Sequence, residues 1–185
     1  MRTRNDVHLL LRLACCAALI FGGVGCEEKL KPAVVPLTQE DLPAQESWRS
    51  AVTFSDSARV RAILWAGHIA VFSGQRVTVM DDSIHVDFFD DRGLHTSTLT
   101  ARRGQVNDQT QDFEGYENVV VTSDSGTILR TERLFWTNAT RKIHTDAFVD
   151  IAGPAEHIMG HGMESDQDLK HYTIFRVTGQ TVWRE

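Results

Sequence analysis

The sequence predicts an all-β domain, and three observations carry that prediction. Beyond Trp48 the chain runs in short segments rich in Val, Ile, Thr, Phe and Trp, residue types that suit a pleated, half-buried surface. Turn signals separate the segments at Asp81-Asp82, Asp90-Asp91-Arg92-Gly93, Asn107-Asp108, Ser123-Asp124-Ser125-Gly126, Thr137-Asn138 and Gly153-Pro154, every 9 to 17 residues. No long stretch keeps a helical period. This spacing describes a sandwich or barrel of many short strands.

The elements follow in chain order. Arg2 and Arg4 precede an apolar run from Leu13 to Phe21, which ends in Gly22-Gly23-Val24-Gly25-Cys26. A basic head, an apolar middle and small residues before a cut site describe a bacterial export signal over residues 1–25. The uncharged stretch from Leu13 to Cys26 spans 14 residues, short of the roughly 20 that cross a bilayer. Val24-Gly25-Cys26 resembles a lipobox, which makes Cys26 the expected site of lipid attachment, although Gly23 stands where such motifs prefer a branched apolar residue. Cys15 and Cys16 lie inside the signal. Only Cys26 would survive cleavage, so no internal disulfide is expected, and acylation would remove a lone thiol from an oxidising compartment. Residues 26–47 read as a lipidated start and a tether, with three prolines, charges of both signs and no sustained period.

Residues 48–185 are the expected folded domain. Alternation in its strands assigns faces: Ile84, Val86 and Phe88 point one way and His85, Asp87 and Phe89 the other, while Val119 and Val121 alternate with Val120 and Thr122. A shift of 30 residues places Leu99 on Leu129, Arg103 on Arg133, Val106 on Trp136, Phe113 on Ile143, Val119 on Val149 and Val121 on Ile151, without a gap. A looser copy, shifted by 35, places Leu64, Ala66, Ile84 and Val86 on Leu99, Ala101, Val119 and Val121. Such units close no core alone and stack on their neighbours, which predicts a stack of short strands with open ends.

The chemistry points away from catalysis. The chain has 185 residues, 42% of them apolar, and its 25 acids against 19 bases give a net charge of -6. That balance argues against a nucleic-acid partner, whose phosphates call for clustered Lys and Arg. GxSxG, Walker, HExxH and CxxC motifs do not occur, and most Asp residues fall in turns, where their side chains cap backbone groups; no cofactor is expected. The sharpest metal candidate is the row His157, Met159, His161 and Met163, aligned on one face if the strand alternates, but Gly160 and Gly162 mark bends or close strand contacts, and no metal is expected. Asn138-Ala139-Thr140 reads as a turn rather than a glycan site. Arg103 and Arg133 read as ion-pair partners of neighbours such as Glu132 rather than as a phosphate clamp.

The runs Ile84–Gly93, Ser97–Ala101, Glu117–Gly126, Thr131–Trp136, Ile143–Asp146 and Ile158–Gly162 resemble, in order and spacing, the LptC family of periplasmic lipopolysaccharide-transport subunits, from about Phe54 to Val182. The resemblance implies an elongated, twisted antiparallel β-jelly roll that carries lipid and is not an enzyme. It implies an apolar interior that shelters acyl chains, and the inward parity of their strands assigns Ile84, Val86, Phe88, Val119, Val121, Val149 and Ile151 to that groove. The partners it implies are lipopolysaccharide, an LptF/LptG-type jelly-roll domain of the inner-membrane ABC transporter, and an LptA-like bridge protein. Many members keep an N-terminal helix as anchor, whereas a lipid on Cys26 is expected to hold this chain at the inner membrane, in the periplasm. The β-rich runs Arg59–Trp65 and Thr173–Trp183 are the expected sheet edges, with Phe175 and Val177 as docking positions. The alternative is a lipoprotein with a structural or docking role only.

Overall fold

The computed structural model describes residues 42–182; the signal, Cys26, most of the tether and Trp183 lie outside them. The described residues form ten strands: β1 (Gln45–Asp56), β2 (Arg59–Phe72), β3 (Val77–Phe89), β4 (His95–Ala101), β5 (Arg103–Asn107), β6 (Phe113–Ser123), β7 (Ile128–Thr137), β8 (Lys142–Ala152), β9 (Glu156–Asp166) and β10 (Tyr172–Val182). They pair antiparallel in one sheet of order β1-β2-β3-β4-β6-β7-β8-β9-β10, and β5 bridges β3 and β6. Short turns make each strand the neighbour of the next. The fold is the all-β jelly roll the sequence predicts, with no helix among the described residues.

One sheet becomes two layers because its strands bend along a common line. Register breaks fall between Ala66 and His68, between Tyr116 and Val119, between Thr131 and Phe135, and between Thr145 and Phe148. β4 and β5 are the two halves of one broken strand, since β3 and β6 each pair with both. Left-handed residues mark the same line: Arg49, Asp82, Ser83, Glu117, Asn118 and Gly162 all have φ between 50° and 75°. Bulges of this kind sharpen the local twist and turn a corner. On one side lie the halves that include Ile84–Phe89, His95–Ala101 and Val119–Ser123; on the other lie those that include Val77–Met80, Phe113–Tyr116 and Phe135–Trp136.

The core sits between these layers. Trp136 contacts Phe88 and Phe54 at centroid distances of 5.4 and 6.2 Å, although neither strand adjoins β7 in the sheet. Leu99 and Leu129, Val106 and Trp136, Phe113 and Ile143, and Val119 and Val149 are buried pairwise, so the 30-residue shift superposes hairpin units: β4 and β5 correspond to β7, and β6 to β8. The seven positions Ile84, Val86, Phe88, Val119, Val121, Val149 and Ile151 are all at most 2% exposed, whereas Val120 and Asp150 are not buried.

Three expectations need correction. Asp81-Asp82 is no turn between strands: it lies inside β3, at the bend, where Asp82 and Ser83 turn left-handed. Arg59–Trp65 is no edge, because β2 pairs with β1 on one side and β3 on the other. The edge is β1, whose first residues, Gln45 to Ser47, belong to the segment read as tether. Its outer face is polar apart from Trp48, whose ring lies tilted against His68 at 5.3 Å while Glu46 meets His68 Nε2 at 3.3 Å; those cross-strand contacts hold it to β2.

Candidate lipid groove and its closures

Opposite the bend, the two layers meet only through side chains and turns, and the seam is uneven. At the β1 end it stands open. A cavity of about 450 Å3 runs between the layers there, floored by Val52, Phe54, Ile69, Val71, Met80 and Val106 and rimmed by Gln45, Asp108 and Gln111. Phe54 is shared between this cavity and the buried Trp136 cluster, so the open space abuts the core.

Farther along, the seam is shut. The β9–β10 turn tucks Leu169, 1% exposed and left-handed, into the core. Beside it Gln167 Nε2 donates to Phe89 O at 3.1 Å, and Ser97 Oγ donates to Gln167 O at 2.6 Å. Asp166 holds the turn by accepting from the Lys170 and His171 amides at 2.9 and 3.2 Å. A second closure joins turns of the two layers: Arg141 donates to Asp91 at 2.7 Å, and the same carboxylate accepts from the buried Arg61. These guanidinium bonds, Arg61 first, hold the Asp91 carboxyl below its ordinary range. A third lies at the β9–β10 end, where Tyr172 Oη donates to Glu156 at 2.6 Å. Partial burial, then the bond to Glu156, pushes the phenol up to about 12.

The seven residues expected to line a groove thus come together on one interior face, but inside the packed core; the open cavity is lined by others, which sequence reasoning missed. Phe54, Met80 and Val106 share the inward parity of their strands and were legible in principle, but nothing local distinguishes a sealed inward position from one at an open end. Phe175 and Val177 lie on β10, which among the described residues is an edge strand pairing only with β9, and are 64% and 54% exposed. The row His157 to Met163 does not converge: Met163 is buried, His161 meets Phe148 edge-to-face at 5.2 Å and His157 meets Asp150 at 2.8 Å. Among the described residues no cluster of His, Cys, Asp and Glu is arranged to hold a metal ion. Arg103 pairs with Glu117, and Arg133 Nε with Glu114 at 2.5 Å, both outside the groove; Glu132 instead accepts from the Asn118 amide. No described helix is long and apolar enough to cross a membrane.

A family model described as "Lipopolysaccharide-assembly, LptC-related" matches residues 13–181. No curated protein matches the chain. The match spans nearly all of the sequence, and the chain belongs to the LptC family: it is a component of periplasmic lipopolysaccharide transport.

Proposed function

We propose, from that membership, that this LptC-family chain takes acyl chains of lipopolysaccharide between its two layers, receiving them from an LptF/LptG-type domain of the inner-membrane ABC transporter and passing them to an LptA-like bridge protein. The observation that carries the reading is the apolar cavity of about 450 Å3 that opens between the layers and abuts the core. The chain is acidic overall, so binding rests on apolar burial, at roughly 0.8 kcal/mol per methylene. Photocrosslinkers in living cells test this. Positions Ile84, Val86, Phe88, Val119, Val121, Val149 and Ile151, together with Val52 and Met80 at the cavity, are expected to capture lipopolysaccharide, and Val120 and Asp150 are not. Capture confined to the outward pair overturns the reading.

One observation favours a second reading, a role in docking alone: the seven inward positions are sealed from solvent, each at most 2% exposed. Failure of every interior position to capture lipid would select it.

The anchor is part of the proposal. Cleavage before Cys26 and acylation there would tie the domain to the inner membrane, and one chain gives only marginal attachment, so several acyl chains are expected. Intact mass of the detergent-extracted protein decides: an unmodified Cys26 or a retained signal excludes the lipid anchor.

A further inference from the structure

The bend joins the layers through continuous backbone in strand after strand, whereas the opposite seam is held by a handful of side-chain contacts. Separation of the layers therefore takes the bend as hinge and the seam as mouth. An acyl chain in the open cavity reaches Phe88 or Val149 only if the mouth parts beyond Phe54. What stands in its way is local and specific. The β9–β10 turn belongs to one layer, through its pairing with β8, yet Gln167 bonds to Phe89 and Ser97 of the other layer, and Leu169 fills the space between. The adjoining Asp91–Arg141 pair again joins turns from the two layers.

We propose that the Asp166–His171 turn is a latch, with Leu169 as its plug and Gln167 and the Asp91–Arg141 pair as its catches, which keeps the interior sealed until lipid passes. This rests on the groove reading for what passes through, but not for whether the latch opens. The turn is suited to such a part. Asp166 gives it internal order, so it can move as a unit, and a few contacts hold it to the other layer, none of them a backbone ladder bond. An element of this kind lies at the low-stability end of a fold.

Two arms of an experiment on the full chain in its native membranes separate the claims. In the first, a disulfide between Ser97→Cys and Gln167→Cys, its formation verified by intact mass before and after reduction, ties the latch shut where Ser97 Oγ meets the Gln167 backbone carbonyl, and a crosslinker replaces Val86. Oxidised protein is expected to capture at least tenfold less lipopolysaccharide than the same sample after reduction. Equal capture in both states overturns the latch. In the second arm, maleimide labelling of Leu169→Cys, measured over the parent chain, reports opening without lipid. Its rate is expected to rise at least tenfold on Gln167→Ala or Arg141→Gln, and an unchanged rate overturns the latch. If neither redox state captures lipid, the groove reading fails while labelling still decides the latch. Should Leu169→Cys fail to fold, maleimide labelling of Ser97→Cys, whose position is fully buried beneath the turn and bonded to the Gln167 carbonyl, reads the same opening and is held to the same tenfold criterion.

Discussion

Asp91 shows how one exposed side chain governs a seam. Its carboxylate accepts from Arg61 and Arg141, and its backbone carbonyl accepts from Arg59 at 3.3 Å. Arg61 is 6% exposed and its Nε has no partner, so Asp91, with Asp56 at 3.6 Å, supplies the countercharge that keeps this cation buried. The sign of the pH dependence follows from the lowered carboxyl. A group depressed in the folded state stabilises above its unfolded value of about 3.9 and ceases to as the pH falls through the folded one. Asp91→Asn is therefore expected to melt below the parent at neutral pH, and the two melting curves are expected to converge as the pH falls below the unfolded value and through the lowered folded one. Thermal melts monitored by circular dichroism across that range check it; a constant gap at all pH values would show that the carboxylate's charge contributes nothing. Because Asp91 lies at the surface, added salt is expected to narrow the neutral gap.

At the scale of the strand, the bend is the feature on which everything else depends. Gly67 sits there because β2 and β3 close up side by side at their register break: a Cβ at that position would overlap the Asp82 carbonyl oxygen and crowd its side chain. Backbone cannot yield as a flexible side chain does, so Gly67→Ala is expected to lower stability by about 2–3 kcal/mol, read by urea denaturation; a loss below half of that would mean the bend adjusts freely. The same line explains what the sequence displays and what it conceals. Alternation in Ile84–Phe89 and Val119–Thr122 gave the inward face directly, because period two survives on each side of a bulge. The turns at Asp90–Gly93, Asn107–Asp108, Ser123–Gly126, Thr137–Asn138 and Gly153–Pro154 were legible because each needs residues that cap or accept unusual backbone angles. Asp81-Asp82 uses the same chemistry for a bend within a strand, and composition cannot tell the two apart. β1 was hidden for another reason. As an edge strand it meets solvent along one side, and its first half, Gln45 to Ser50, carries a single apolar residue, Trp48, which points outward; only Val52 and Phe54 declare the inner face.

At the scale of the whole domain, nearly sequential strand order leaves two edges among the described residues, β1 and β10. Each carries unpaired backbone groups, and exposed edges of this length invite pairing with another chain. β10 also carries Phe175, Val177 and Val182 exposed, an apolar fringe beside the ladder that a partner strand would cover. If β1 meets the transporter's jelly roll and β10 the bridge protein's, the layers of successive domains continue one another, and the space between them becomes a passage rather than a pocket. Strand addition of this kind draws its affinity from main-chain bonds and tolerates side-chain changes. That gives the edge its own test. Phe175→Pro or Val177→Pro removes a ladder N–H and is expected to abolish capture of the bridge protein in a pull-down while leaving transporter association intact. Phe175→Ser and Val177→Ser keep the N–H and are expected to retain most of the capture. Circular dichroism establishes that the Pro variants remain folded, since Pro also threatens the pairing of β10 with β9. A folded Pro variant that captures the bridge protein at the parent level would place the docking site elsewhere, and loss in the Ser variants equal to that in the Pro variants would assign the affinity to the apolar fringe instead of the ladder.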